Sequence, residues 1–117
     1  MKKINKPWGY EIIWTQLGRG AFPAYGFVGK MLHIKKGHRL SLQYHQEKSE
    51  AILVLKGTLN LYHNEQWGRV KPMDSRLIHS GQIHRMSAPW GPVSLVEVST
   101  PQLDDLIRLE DDYGRKT

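Results

Sequence analysis

Hydrophobic residues in this chain recur mostly at every second position, in short runs that glycine, proline and polar residues separate. This alternation predicts β-strands, because successive side chains of a strand point to opposite faces. Short strands at close spacing, with Gly/Pro turns between them, are typical of an all-β sandwich or barrel. The predicted strands cover residues 10–14, 27–34, 39–45, 51–55, 58–63, 76–79, 83–86 and 93–98.

Three segments depart from the alternation. Residues 15–26 contain three glycines and one proline and predict a loop, and residues 64–68 predict a turn. Helical spacing occurs near the end, where one side of a short predicted helix would carry Leu103, Leu106, Ile107 and Glu110. We therefore expect a single domain over residues 1–117, a jelly-roll barrel with a short C-terminal helix.

Length and composition exclude several classes of protein. No apolar run approaches the roughly 20 residues that a membrane-spanning helix needs. The lysines at the start are not followed by an apolar segment, so no secretory signal is expected and the predicted location is cytoplasmic. Because the chain has no cysteine, disulfides and thiolate metal sites are excluded, and a metal would need histidine, carboxylate or amide ligands.

The charge balance favours anionic partners. Lysine and arginine number 17 against 11 acidic residues, a formal net charge of +6. The basic residues form no dense run and no nucleic-acid motif, so nucleic acid is the least favoured partner. An ordinary solvated basic surface is the first interpretation, and a site that attracts an anion such as a phosphorylated metabolite is the second.

Four polar side chains have the spacing of a metal site. Gln43 and His45 share one face of a predicted strand, because side chains two apart point the same way. Glu50 begins the next predicted strand and His84 lies on a later one. Each of the four taken singly is more often a hydrogen-bonded or exposed strand residue. Together, inside a small barrel, they could hold one divalent ion such as Zn, Mn, Fe or Ni.

The same residues resemble the two motifs of the cupin superfamily. The first motif is matched by Gly37, Gln43, His45, Glu50 and Gly57, with glutamine where most cupins have a histidine, and the second by Gly81 and His84. Among cupins the chain is most similar to the type II mannose-6-phosphate isomerase domain, also found at the C-terminus of mannose-1-phosphate guanylyltransferases. The most specific segments are LSLQ at residues 40–43 and DYGR at residues 112–115.

This resemblance implies a cupin fold (a double-stranded β-helix) and a metal-dependent interconversion of mannose 6-phosphate and fructose 6-phosphate. It implies a divalent metal on Gln43, His45, Glu50 and His84. For the chemistry we predict Glu97 as the base, if its strand turns it toward the cavity. For the phosphate we predict three cations in family-like segments, Lys30, Arg85 and Arg108.

Two other functions stay open at this stage. The family pattern is altered at Tyr44, at residues 46–48, at Ala51, and at His79 and Gln82, so a non-catalytic carbohydrate-binding or regulatory metal cupin is one alternative. An iron cupin dioxygenase is the other, because it uses nearly the same ligands. Exposed sheet edges in so short a cupin predict a homodimer.

Overall fold

The computed structural model describes residues 1–102 and 104–115, and this part of the chain is built from β-strands. They are β1 (Lys2–Lys6), β2 (Gly9–Arg19), β3 (Tyr25–Ile34), β4 (Leu42–His45), β5 (Glu50–Lys56), β6 (Leu59–His63), β7 (Gln66–Val70), β8 (Ser75–Ile78), β9 (His84–Ser87), β10 (Val93–Ser99) and β11 (Leu106–Glu110). A six-stranded sheet has the order β1-β2-β3-β10-β5-β8, and a five-stranded sheet has the order β11-β4-β9-β6-β7. All pairings are antiparallel. The predicted all-β barrel is confirmed.

The core lies between the two sheets. The six-stranded sheet contributes Ile52 and Val54 from β5 and Val93 and Leu95 from β10, all at most 1% exposed. The five-stranded sheet contributes mainly Leu59, Leu61 and Met86. These residues alternate along their strands with outward-pointing ones, which is why the period-two pattern identified the strands correctly.

Gly57 connects the end of β5 to the start of β6. Its φ of +81° lies in the left-handed region, and a Cβ there would collide with the carbonyl oxygen of Pro92. Glycine is therefore required by backbone conformation and by close approach together. The motif glycine thus has a structural purpose, since it lets the chain pass directly over the start of β10.

The predicted C-terminal helix is wrong. Residues 106–110 form the strand β11, which pairs with β4 so that Arg108 lies opposite Gln43. Just before it, the Asp105 carboxylate accepts the backbone N–H groups of residues 46–48 and fixes the segment at the edge of β4. Tertiary pairing has overridden the helical spacing. Leu103 lies outside the described residues. Within those residues, no helix is long and apolar enough to cross a membrane.

The predicted loop at residues 15–26 is also largely wrong. β2 and β3 continue through it as a long hairpin, in which Gly18 and Gly26 lie opposite each other. A Cβ on either glycine would collide with the opposite strand, so these glycines permit close strand approach rather than a turn. β1 was not predicted, and β7 occupies much of the predicted turn at 64–68. In these polar segments the alternation of apolar and polar residues was too weak to predict strands.

Candidate metal centre

A cavity of about 510 Å³ opens between the two sheets at one end of the barrel. β1 and β2 line one side of it, β11 the other, and the inward-facing polar residues of β3, β4, β5 and β10 form its floor. The floor is polar and buried, whereas Trp8, Leu32, Leu40 and Met86 form an apolar wall. This volume is within the range of small-molecule sites.

Three of the predicted ligands converge here: His45 and Glu50 line the floor, and His84 contacts Glu50. His45 ends β4 and His84 begins β9, a neighbouring strand, while Glu50 begins β5 on the opposite sheet. Nε2 of His84 lies 3.1 Å from Oε1 of Glu50, and Nε2 of His45 lies 3.8 Å from Oε2 of the same carboxylate. One donor atom from each residue lies within 4.8 Å of the others, and all three side chains are buried. Such a group could hold one metal ion.

The hydrogen bonds around the histidines suit this role. Nδ1 of His84 donates to the carbonyl oxygen of Gln82 at 2.9 Å, which leaves Nε2 directed at Glu50. Neither ring nitrogen of His45 has a hydrogen-bond partner among the described residues, although both are buried. A buried polar atom without a partner costs free energy, and coordination would satisfy one of these nitrogens. The donor set therefore fits a divalent ion.

The protonation states are consistent with ligation. Burial lowers the pKa of His45 to about 4, so its imidazole is neutral near neutral pH, as ligation requires. Burial opposes ionisation of Glu50, but contact with His84 outweighs it and lowers the pKa of Glu50 to about 2. Burial likewise opposes the charged form of His84, yet the same contact raises its pKa. A divalent ion would have to displace the proton that this contact favours on His84.

Gln43 reaches the same cluster with its amide nitrogen, whereas a metal ligand would need the amide oxygen. Its Oε1 accepts a hydrogen bond from Oγ of Ser41 at 2.6 Å, and its Nε2 lies 3.5 Å from Nε2 of His84. An amide nitrogen is not a metal ligand, but the two ends of an amide exchange by rotation of the group. After that rotation Oε1 would face the cluster, and Nε2 would donate to Ser41.

The carboxylate of Glu97 lies beside the three candidate ligands. Its strand β10 directs Leu95 and Glu97 inward, whereas Val98 is 46% exposed, so the predicted orientation of Glu97 toward the cavity is found. Burial, followed by the neighbouring charge of Glu50, raises the pKa of Glu97 to about 7. A buried carboxyl group with this pKa can gain or lose a proton near neutral pH.

Lys48 is a residue of this site that the sequence analysis missed. Its side chain is only 4% exposed, and its Nζ lies 3.4 Å from Oε2 of Glu97 and 3.8 Å from Oε2 of Glu50. It stands in a polar turn, where lysine ordinarily faces water. The Asp105 carboxylate, 57 positions away, accepts the backbone N–H of Lys48 and helps to fix this turn. No local signal could have revealed that contact.

The three predicted phosphate-binding cations have different positions. Lys30 and Arg108 line the cavity, and Nζ of Lys30 lies 3.0 Å from Oε2 of Glu11. Arg85 is not among the described residues that line it, because β9 directs His84 and Met86 inward and Arg85 to the other side. Its Nε donates to the carbonyl oxygen of Leu40 and its Nη2 to Oδ1 of Asp112. Cations that were not predicted line the cavity as well, namely Lys2, Lys6 and Arg115.

Comparison with protein families gives one match over nearly the whole chain. The family model described as "Mannose-6-phosphate isomerase C-terminal" matches residues 1–111. The xanthan biosynthesis protein XanB of Xanthomonas campestris pv. campestris is 33% identical over 97% of this chain. The alginate biosynthesis protein AlgA of Pseudomonas aeruginosa is 31% identical, also over 97%. The chain spans about a quarter of these relatives, 24% and 23% of their lengths.

Solved structures share the fold. KdgF from Halomonas sp. superposes with a TM-score of 0.75 at 13% identity, covering 90% of this chain and 92% of that one. A sugar phosphate isomerase from a cupin superfamily, from Silicibacter pomeroyi, gives a TM-score of 0.60 at 24% identity. The second superposition covers 74% of this chain and 59% of that chain. The barrel is therefore a cupin barrel.

Proposed function

Because this chain belongs to the mannose-6-phosphate isomerase C-terminal family, we propose that it is a metal-dependent sugar-phosphate isomerase that interconverts mannose 6-phosphate and fructose 6-phosphate. One observation carries the proposal. A buried carboxyl group, Glu97, lines the same cavity as His45 and Glu50, and these two converge with His84 as metal-type donors. An aldose–ketose isomerisation needs a proton carrier next to an electrophile, and this floor offers a carboxyl group beside residues that could hold a metal ion.

His45, Glu50 and His84 would hold the divalent ion, with the amide oxygen of Gln43 as the fourth ligand once the amide is rotated. When bound, the ion would supply Lewis acidity toward the sugar carbonyl and hydroxyl oxygens. Neutral imidazoles and a single carboxylate suit Zn, Mn, Fe or Ni alike.

Glu97 would move the proton. Its carboxylate would remove the proton from C2 of the sugar and return it to C1, while a proton passes from the C2 hydroxyl to the C1 oxygen through the enediol. A pKa of about 7 suits both directions near neutral pH. Lys48 would act as a positioning residue, because its ammonium lies between the carboxylates of Glu97 and Glu50. Its charge favours the ionised form of both and holds Glu97 in one place.

The cations on the cavity wall would bind the phosphate. Lys30 and Arg108 come from opposite sheets, so an anion between them would be held from both sides. Lys2, Lys6 and Arg115 add positive charge along the same lining. Binding energy from this remote phosphate would align C1 and C2 with Glu97, which is how a non-reacting group contributes to rate.

A non-catalytic carbohydrate-binding or regulatory cupin is the second candidate. It is favoured by the departures from the family pattern at Tyr44 and at residues 46–48, next to the candidate ligands. In that function the cavity would bind a sugar phosphate without turnover.

A coupled assay with mannose 6-phosphate tests the proposal. The protein is stripped with chelator, reloaded separately with Zn, Mn, Fe or Ni, and analysed for bound metal before each assay. We expect about one ion per chain and turnover with at least one metal. Full metal loading and sugar-phosphate binding without turnover would reject the isomerase in favour of the binding module. Failure to bind any metal would reject both.

A further inference from the structure

The outer face of the six-stranded sheet is apolar, although an antiparallel sheet usually has a polar face toward solvent. Eight apolar residues point outward from five adjacent strands and define what we call the outer patch: Ile12, Trp14, Met31, Ala51, Leu53, Leu77, Val96 and Val98. Several are strongly exposed, with Trp14 at 45%, Val98 at 46% and Leu77 at 54%. The same strands supply core residues from their other face. These strands are therefore apolar on both faces, which is typical of strands that are covered on both faces.

The strand register makes the outer patch continuous. In one row Ile12 lies opposite Met31, Met31 opposite Val96, and Val96 opposite Leu53. In the next row Val98 lies opposite Ala51, and Ala51 opposite Leu77. Trp14 completes this second row, because its indole occupies the space above Gly29, the partner of Val98. Directly opposed side chains are in contact, so the eight residues form one surface.

The dimensions match those of an interface. Five strands spaced by about 4.8 Å give a surface roughly 20 Å wide, which corresponds to several hundred square ångströms of exposed apolar area. The patch continues along the β2–β3 hairpin to Phe27, Leu17 and Tyr25, which are 41%, 60% and 59% exposed. With this arm the surface approaches the roughly 800 Å² that each partner buries in a typical stable complex.

We propose that the outer patch is the interface between two copies of this chain, packed face to face about a two-fold axis. Each copy has a formal net charge of +6, so two copies repel unless they meet where neither presents charge. The eight apolar residues provide such a surface. A nearly flat sheet face is self-complementary, and sheets readily pack face to face at about 10 Å. The neighbouring row, Tyr10, His33 and Ser94, supplies a polar margin.

The interface has a consequence for the cavity. Ala51 directly follows Glu50 and Val98 directly follows Glu97, so the outer patch and the cavity floor are opposite faces of the same strands. Packing a second copy onto β5 and β10 would restrict the backbone that positions both carboxylates. The proposed interface itself does not depend on the proposed isomerase activity.

Sedimentation velocity at micromolar concentration tests the interface with two lysine substitutions. Val98→Lys places a charge in the middle of the outer patch, and Leu109→Lys places one at a residue of similar exposure, 48%, on the other sheet. We expect wild type and Leu109→Lys to sediment as dimers. We expect Val98→Lys to associate at least about 100-fold more weakly, because a buried unpaired charge is costly.

Cysteine cross-linking covers the case in which Val98→Lys does not fold. The chain has no cysteine, so Ala51→Cys, Val98→Cys and Leu109→Cys each introduce a single thiol. Oxidation should give disulfide-linked dimers from at least one patch variant and none from Leu109→Cys. A monomeric wild type, or a dimer that Val98→Lys leaves unchanged and that cross-links through Leu109→Cys, would overturn the proposal. A monomer that binds anionic vesicles through the patch would assign the surface to a membrane instead.

Discussion

The two ends of the barrel interior are built by the same strands and differ sharply in chemistry. Along β5 the inward positions change from Glu50 to Ile52 and Val54, and along β10 they change from Glu97 to Leu95 and Val93. One end is therefore a polar cavity floor, and the other is a close-packed apolar core. The change from polar to apolar takes one inward position along each strand, from Glu50 to Ile52 on β5 and from Glu97 to Leu95 on β10. Across the two strands, Ile52 lies opposite Glu97 and Val54 lies opposite Leu95.

The comparison indicates a division of roles. Burial of apolar side chains stabilises the fold, by about 1.5–3 kcal/mol for each fully buried large side chain. Burial of charged groups such as Lys48, Glu50 and Glu97 costs several kcal/mol per ion before pairing offsets it. Residues at the polar end are thus poorly explained by stability alone. Substitutions at the two ends should separate ligand chemistry from folding, and three predictions test this separation.

The largest effect is expected from His84→Ala. The substitution removes one of the three converging donors. It also removes the hydrogen bond from Nδ1 of His84 to the carbonyl oxygen of Gln82. We expect metal binding and isomerase activity to fall together to background, whereas the circular dichroism spectrum stays that of the wild type. Metal analysis after dialysis measures this directly. The matched control is His33→Ala, a histidine on β3 that is not one of the three candidate ligands; if it lost metal equally, the assigned centre would be wrong.

Glu97→Gln should affect turnover but not metal content. The amide has nearly the same shape as the carboxylate but cannot accept the proton from C2, so kcat should fall by about 10²–10⁴. KM should change little, because Glu97 is not assigned to substrate binding. Steady-state kinetics on metal-loaded protein give both constants. Equal loss of metal and activity would instead identify Glu97 as part of the metal site.

Leu95→Ala tests the apolar end. Leu95 is fully buried in the core, so removing its side chain should lower the free energy of unfolding by about 2–5 kcal/mol. Urea denaturation measures the loss, and metal titration of the folded variant should give a wild-type affinity. A conservative control, Leu95→Met, keeps most of the volume and should cost less than about 1.5 kcal/mol. Weakened metal binding in folded Leu95→Ala would show that the two ends are coupled.

The sequence predicted the two ends unequally well. Apolar alternation located most strands, because the strand period fixes which side chains share a face. His45, Glu50 and His84 lie on three different strands, and the structure brings one donor atom of each within 4.8 Å of the others, as the motif resemblance led us to expect. The failures depended on contacts between distant segments. β11 replaces the predicted helix because Asp105 and the edge of β4 capture it, and Lys48 faces inward because the same carboxylate fixes its turn. Local propensity contains no information about such contacts.

The outward direction of Arg85 is a failure of a different kind, because the local strand pattern could have revealed it. A basic residue next to a predicted ligand was assigned to phosphate, yet neighbours on a strand face opposite ways, and Arg85 binds Asp112 instead. The alternation that placed His84 inward was already sufficient to place Arg85 outward. Residues two positions from a predicted ligand share its face of the strand, so they would have been better candidates for phosphate binding than adjacent residues.

The smallest predicted effect concerns the C-terminal segment that follows β11 beside the cavity. Two guanidinium hydrogen bonds from Arg115, at 2.8 and 3.0 Å, lower the pKa of Asp111 to about 2 from its usual 3.8. A carboxylate whose pKa is lowered by folding stabilises the folded state at pH values above its unfolded-state pKa. It loses that contribution as the pH falls toward its folded-state pKa. Asp111→Asn should therefore be less stable than wild type at neutral pH by about 1 kcal/mol or less, because water screens a partly exposed pair. The difference should shrink as pH falls from 3.8 toward 2, which urea denaturation across that range would detect.

Arg115→Gln should reproduce the same pH dependence, since it removes the other half of the pair. A difference that stays constant with pH would mean that Asp111 stabilises the segment through its hydrogen bond to the backbone N–H of Arg115, not through charge.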